Sequence, residues 1–348
     1  MSNIKFLAIF AMVFTMVSCH HRPLQDPSNL HYVRIYLDEQ IQNVTCGFYN
    51  EKLPRPEYSR PTVMRVVLAD PETDVIVSER FLQNRGSDSR GNYIDGYISA
   101  PGGNYNLLTY SFGSAVTQVR NERSFYRMEA YTNVISDHYL QYIPSSRLDV
   151  DNSRIVTSPE HLFHEVAEPI TIKPNVDVDT LRNANGDYFT AHSLVHSYYL
   201  QVRVRGFEWI RTAVSMLSGM AGSKIMHEHE YIEMAEPVQV FFTMNYADKE
   251  RTRDSSTSAT LYTTFNTFGK LPDVPSIYTL NIEFVRSDGT SQVEQIDITH
   301  LFDTPAARDH RWLIIEDEIV ITPPQGSGSG GMSPGVDVWT DVEADVQI

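Results

Sequence analysis

The side chains of this 348-residue chain that could do chemistry begin with a cysteine. Cys19 follows Lys5, a run from Phe6 to Val17 that is apolar except for Thr15, and then Ser18. A cationic start, a short apolar stretch and a small residue directly before cysteine make an export signal, and cleavage there leaves the sulfur at the new N-terminus. The chemistry predicted for Cys19 is therefore lipidation, with residues 1–18 forming a bacterial lipoprotein signal and residues 19–30 a lipidated tether. Met16 stands where such signals more usually carry leucine. The run is too short to cross a hydrocarbon core ~30 Å thick, which takes about 20 apolar residues. Acyl chains contribute about 0.8 kcal/mol of membrane residence per buried methylene.

Other reactive groupings are incomplete. In His227-Glu228-His229-Glu230 the two imidazoles would share one face of a strand and could share a zinc ion, but no nearby spacing completes a tetrahedral set. His192 and His196 have the i, i+4 spacing of a helix, yet Ser193 occupies the place of the glutamate in a zinc-protease motif. Ser218 lacks the glycine two residues earlier that a nucleophile elbow needs, and Gly86 to Gly91 lacks the lysine of a phosphate loop. No catalytic residue, metal-ligand set or cofactor is expected. A formal charge of −16, more negative once Lys5 is lost, argues against nucleic acid as a partner. With Cys19 lipidated, Cys46 has no intrachain partner and reads as a small buried residue. Nineteen Tyr and three Trp leave room for a sugar-binding face, with Phe125, Tyr126, Tyr139 and Tyr142 near polar loops, although aromatics also build cores.

Elements with a period of two must position these groups. Val33, Ile35 and Leu37 alternate with Arg34, Tyr36 and Asp38, the pattern of a half-buried strand. Val63 to Leu68 and Val75 to Leu82 flank Asp70-Pro71-Glu72-Thr73-Asp74, whose proline and aspartates predict a hairpin turn. Tyr93 to Ser99 and Tyr105 to Phe112 continue the series, and Ser197 to Arg205, Val238 to Met244, Ala259 to Phe265, Ile277 to Phe284 and Leu313 to Thr322 repeat it. Helical spacing is best at Phe207 to Met220, where Trp209, Ala213, Met216, Leu217 and Met220 could share a face. Prolines 169 and 174 suggest a division into domains at 31–165 and 166–348. After a Gly/Ser linker at 326–331, residues 336–348 alternate strictly, with Val336, Val338, Val342 and Val346 on one face and Trp339 on the other. Such a strand either closes its own domain or is donated to a neighbour by strand addition.

The signal, the two β-rich halves, Pro101-Gly102-Gly103-Asn104-Tyr105-Asn106-Leu107-Leu108-Thr109-Tyr110, the run Ser218 to Gly222 after Trp209 and the linker before Val336-Asp337-Val338-Trp339 occur in a familiar order. The chain resembles the fimbrillin-like lipoproteins of anaerobic diderm bacteria, in a domain-of-unknown-function branch related to minor-fimbrium anchor subunits. The resemblance implies an all-β fold of two tandem transthyretin-like antiparallel β-sandwich domains with few short helices, and no enzyme activity. It further implies a fimbrial anchor, assembly or adhesion subunit at the outer membrane, periplasmic or surface-facing, with fimbrial subunits or other envelope proteins as partners. A glycan-binding surface lipoprotein is the second reading and a metal-dependent hydrolase the third.

Overall fold

The computed structural model describes residues 29–38, 59–135, 154–174, 179–227, 236–252, 256–271 and 277–324. Cys19, Cys46, Tyr139, Tyr142, His229 and the terminal segment with Val336, Val338, Trp339, Val342 and Val346 lie outside them. Alternating apolar residues make strands almost throughout. The first twelve are β1 (Leu30–Leu37), β2 (Met64–Ala69), β3 (Ile76–Leu82), β4 (Asn84–Asp88), β5 (Gly91–Ser99), β6 (Gly103–Ser111), β7 (Thr117–Arg120), β8 (Glu129–Thr132), β9 (Ile155–Thr157), β10 (Phe163–Ile172), β11 (Asp179–Thr180) and β12 (Phe189–Ser193). The rest are β13 (His196–Arg205), β14 (Ile210–Ala221), β15 (Ser223–Ile225), β16 (Pro237–Thr243), β17 (Asn245–Arg251), β18 (Thr257–Thr267), β19 (Thr279–Arg286), β20 (Ser291–Asp297) and β21 (Trp312–Val320). The one described α-helix, α1 (Pro305–His310), starts where Thr304 accepts a hydrogen bond from the Ala307 amide.

In the first sandwich the strands run β3-β2-β6-β10-β12-β1-β5-β4, with β11 beside β1. The short β12 joins the two layers, since Phe189 to Ala191 pair with β1 while His192 and Ser193 pair with β10. Val33, Ile35 and Ile94 from one layer therefore meet Val66, Leu68 and Leu107 from the other in a single core. The second sandwich packs the sheet β17-β18-β13-β21 on the sheet β20-β19-β14-β16-β9. Leu200, Val202 and Leu261 there face Leu217, Val240 and Ile282. A third cluster, containing Val67, Leu108, Tyr110, Phe125, Met128, Leu194 and Phe268, fills the seam where the sheet β15-β8-β7 and the second sandwich meet the outer face of β2 and β6. Most strand pairs are antiparallel, while β1 with β11, β1 with β12, β13 with β21 and β16 with β9 are parallel.

The expected hairpin is present. Asp70 Oδ1 accepts from the amides of Glu72 and Thr73 and joins β2 to β3 through that turn. The helix expected at Phe207 to Met220 is not. Those residues form one 3-10 turn at Phe207–Trp209 and then strand β14. The strand slips register between Ile210 and Thr212 and again between Leu217 and Met220. Each extra residue stretches the two-residue repeat to three, so Ile210, Ala213, Leu217 and Met220 all reach one core at spacings that imitate a helix. Gly219 makes the second slip possible. Its φ of 87° is left-handed, and a Cβ there would lie 2.8 Å from the Ile277 carbonyl oxygen.

Candidate functional site

The strand alternation that sends Val33, Ile35 and Leu37 inward sends Tyr32, Arg34 and Tyr36 outward. On the neighbouring β5, Ile94 and Ile98 point inward, and Tyr93, Asp95 and Tyr97 point outward. The antiparallel register sets Tyr32 against Tyr97, Arg34 against Asp95 and Tyr36 against Tyr93. An outer face results with a charge pair between two tyrosine pairs, the cross-strand arrangement that stabilises sheets. Tyr188, just before β12, adds a fifth ring 5.9 Å from Tyr36.

Arg34 is the centre of this face. Its guanidinium stacks 3.9 Å from the centroid of Tyr93, with Tyr188 at 5.4 Å and Tyr32 at 5.6 Å. Nε donates to the Tyr32 hydroxyl at 3.0 Å, and that hydroxyl donates to Asp95. The two Nη atoms reach Asp88 at 3.3 Å and Asp95 at 3.4 Å. The Tyr36 hydroxyl donates to Asp88 at 2.7 Å. Burial, with the Asp95 carboxylate second, pushes the Tyr32 phenol up to about 12, so it remains a proton donor. Beneath the far face of Tyr93 lies Gly86 of β4, its register partner, where a Cβ would come 2.3 Å from the ring carbon Cζ. Only glycine lets the ring lie flat across the edge strand.

Of the residues singled out from sequence, His227 and the Phe125-Tyr126 pair come together. The His227 ring stands edge-on to Tyr126 at 4.8 Å and Phe125 at 5.3 Å, and its Nε2 pairs with Glu168 at 2.7 Å. Tyr126 accepts a hydrogen bond from Asn106 at 2.9 Å. His192 and His196 occupy different strands, β12 and β13, and His192 pairs with Asp38 at 2.7 Å. Ser218 sits at the β14 slip, donating to the Thr279 carbonyl, and Gly86 to Gly91 is the β4-β5 hairpin. Among the described residues no three His, Cys, Asp or Glu side chains gather as metal ligands.

A second polar cluster ties the two sandwiches at the covalent link between β12 and β13. The Ser197 hydroxyl donates to Asn266 Oδ1 at 2.7 Å, so His161 Nε2, 2.9 Å from the same hydroxyl, must donate to it. His161 Nδ1 lies 2.9 Å from the Ser193 hydroxyl, which also donates to the Val195 carbonyl at 3.0 Å. Asn266 completes the set by donating to the Pro159 carbonyl at 2.8 Å. Burial drives the His161 imidazole down to about 4, which keeps it neutral.

Tyr32, Arg34, Tyr36, Tyr93, Asp95, Tyr97 and Tyr188 were not among the sequence candidates. Their signal is a mirrored pair of motifs, Tyr-x-Arg-x-Tyr at 32–36 and Tyr-x-Asp-x-Tyr at 93–97. It becomes legible only when the two strands are known to pair.

Residues 59–243 match the family described as "Domain of unknown function (DUF5119)". A relative in Bacteroides ovatus named "Putative fimbrium anchoring subunit Fim4B" is 22% identical over 96% of this chain and 95% of its own length. The crystal structure of a "putative adhesin" from Bacteroides ovatus covers 88% of this chain and 98% of that one, with a TM-score of 0.56 and 19% identity. "The fimbrial anchor protein Mfa2" of Porphyromonas gingivalis superposes more loosely, with a TM-score of 0.43 and 12% identity over 84% of this chain and 90% of its own.

Proposed function

The chain belongs to the DUF5119 family, and from that premise we propose that it is a fimbrial anchoring or adhesion subunit of the bacterial cell envelope. The observation that carries the reading is end-to-end alignment with a relative named as a fimbrium anchoring subunit, covering 96% of this chain and 95% of that one. In this role the protein works by contact and not by catalysis, and its partners are other fimbrial subunits. Cys19 is the membrane attachment, supported by the cationic start, the apolar run and the small residue before it. The alternating segment with Val336, Val338, Trp339, Val342 and Val346 is the protein-binding element, supported by a register that fits one face of a sheet.

Cell fractionation tests both parts. Metabolic labelling with a fatty-acid analogue should mark the wild type and not Cys19→Ala, and Cys19→Ala should shift fimbrial material from the cell to the medium. Val338→Asp with Val342→Asp should keep the label but lose co-purifying subunits, because two charges on the pairing face are costly to bury. Fibres that stay cell-bound at wild-type level in both variants would overturn the assignment.

A further inference from the structure

The outer face of β12, β1, β5 and β4 is built differently from an ordinary solvated sheet. Exposed strand faces can be kept soluble by Lys, Glu and Thr, but this one carries five tyrosines around one arginine. Tyr97 is 50% exposed, and Tyr32, Tyr93 and Tyr188 are partly exposed. The network of Arg34, Asp88 and Asp95 uses the hydroxyls of Tyr32 and Tyr36. Those of Tyr93, Tyr97 and Tyr188 have no hydrogen bond in the described structure and face outward with donor and acceptor capacity intact. The rings are held by the guanidinium and by edge-on neighbours at 5.5–5.9 Å, so little freedom remains to be lost on binding.

From this geometry we propose that the tyrosine face is a binding site for a neutral glycan. A pyranose ring offers a C–H face that matches the negative face of an aromatic ring and a rim of hydroxyls that matches phenols and carboxylates. Tyr97 offers an exposed ring, while Tyr93, its faces taken by Arg34 and Gly86, presents its edge and hydroxyl four residues away on the same face of β5, about 13 Å, which spans more than one sugar unit. Charge selects the class of glycan. Arg34 and Arg182, the latter 4.2 Å from the Tyr188 centroid, balance Asp88 and Asp95, so the patch itself is neutral. It sits on a chain of formal charge −16, which repels uronic acids and sulfated sugars. A neutral oligosaccharide meets neither obstacle.

The test uses the mature chain and a panel of gluco-, manno-, galacto- and N-acetylglucosamine oligosaccharides, with an oligogalacturonate as the acidic control. Saturation-transfer NMR and calorimetric titration should detect at least one neutral oligosaccharide and not the acidic one. Tyr97→Ala should weaken that binding by about tenfold or more, the loss of one ring contact, while lowering the melting temperature by no more than about 3 °C through loss of its pairing with Tyr32. Tyr93→Phe, which keeps the ring over Gly86 and removes only a hydroxyl, should weaken binding by a smaller factor. Binding that survives Tyr97→Ala at full strength overturns the site. Absence of binding to every neutral sugar overturns the ligand class and leaves the face to a protein partner.

Discussion

His161 and His196 are buried bases, both driven down to about 4 by burial, and for His196 also by the Arg311 charge. Below their ordinary value of 6.5 the unfolded chain takes up protons that the folded chain refuses, so each removes stability as pH falls. Glu165 works in the opposite sense. Burial pushes its carboxyl up to about 7 from 4.5, so the folded chain holds a proton that the unfolded chain has released, and stability falls as pH rises. Two histidines against one glutamate leave a net difference of about one proton, so stability should rise with pH between about 5 and 6.5. Urea midpoints across that window should steepen with Glu165→Gln and reverse in sign when His161→Asn and His196→Asn are combined. A wild-type midpoint that falls with pH there would contradict the assignment. At this scale the sequence was least informative, because His161 and the mirrored tyrosine motifs take their meaning from partners 32 to 65 residues away.

Gly219 is the residue on which strand β14 depends. Gly219→Ala would combine a left-handed φ with a Cβ pressed against the Ile277 carbonyl, at a cost of about 2 kcal/mol. The melting temperature should fall by roughly 3–6 °C. An unchanged melting curve would mean that the slip is not needed to seat Met220. The same slip explains which elements could be read in advance. Strands with unbroken alternation, such as β1 and β13, were legible, and so were the continuous apolar run of β2, buried on both faces, and the Asp70 turn. β14 was misread because two extra residues turned its period toward that of a helix. The exposed β4 and β20 were missed because Asn, Arg, Ser, Asp, Gln and Glu show little hydrophobic contrast between neighbouring positions.

For the whole molecule, the seam between the sandwiches sets the cooperativity of folding. β9 lies between β8 and β10 in the chain yet pairs with β16 of the second sandwich, and the cluster around Phe268 draws on both units. Calorimetry of the mature chain should therefore give one transition. Phe268→Ala opens a buried cavity at a cost of about 3–5 kcal/mol, and should separate that transition into two. A single peak that merely moves downward would show that the sandwiches do not rely on this seam. The two ends of the described chain also differ under load. β1 is an interior strand, laddered to β5 along its length on one side and to β11 and β12 on the other. A pull on Leu30 runs along the strand axis and shears both ladders at once. A pull on Val320 acts on β21, which among the described residues is laddered on one side, to β13, with Gln292 of β20 donating to the Val320 carbonyl at 2.9 Å. Within the described residues the molecule is mechanically polar, and tension applied between Leu30 and Val320 would part β21 from β13 before β1 slips.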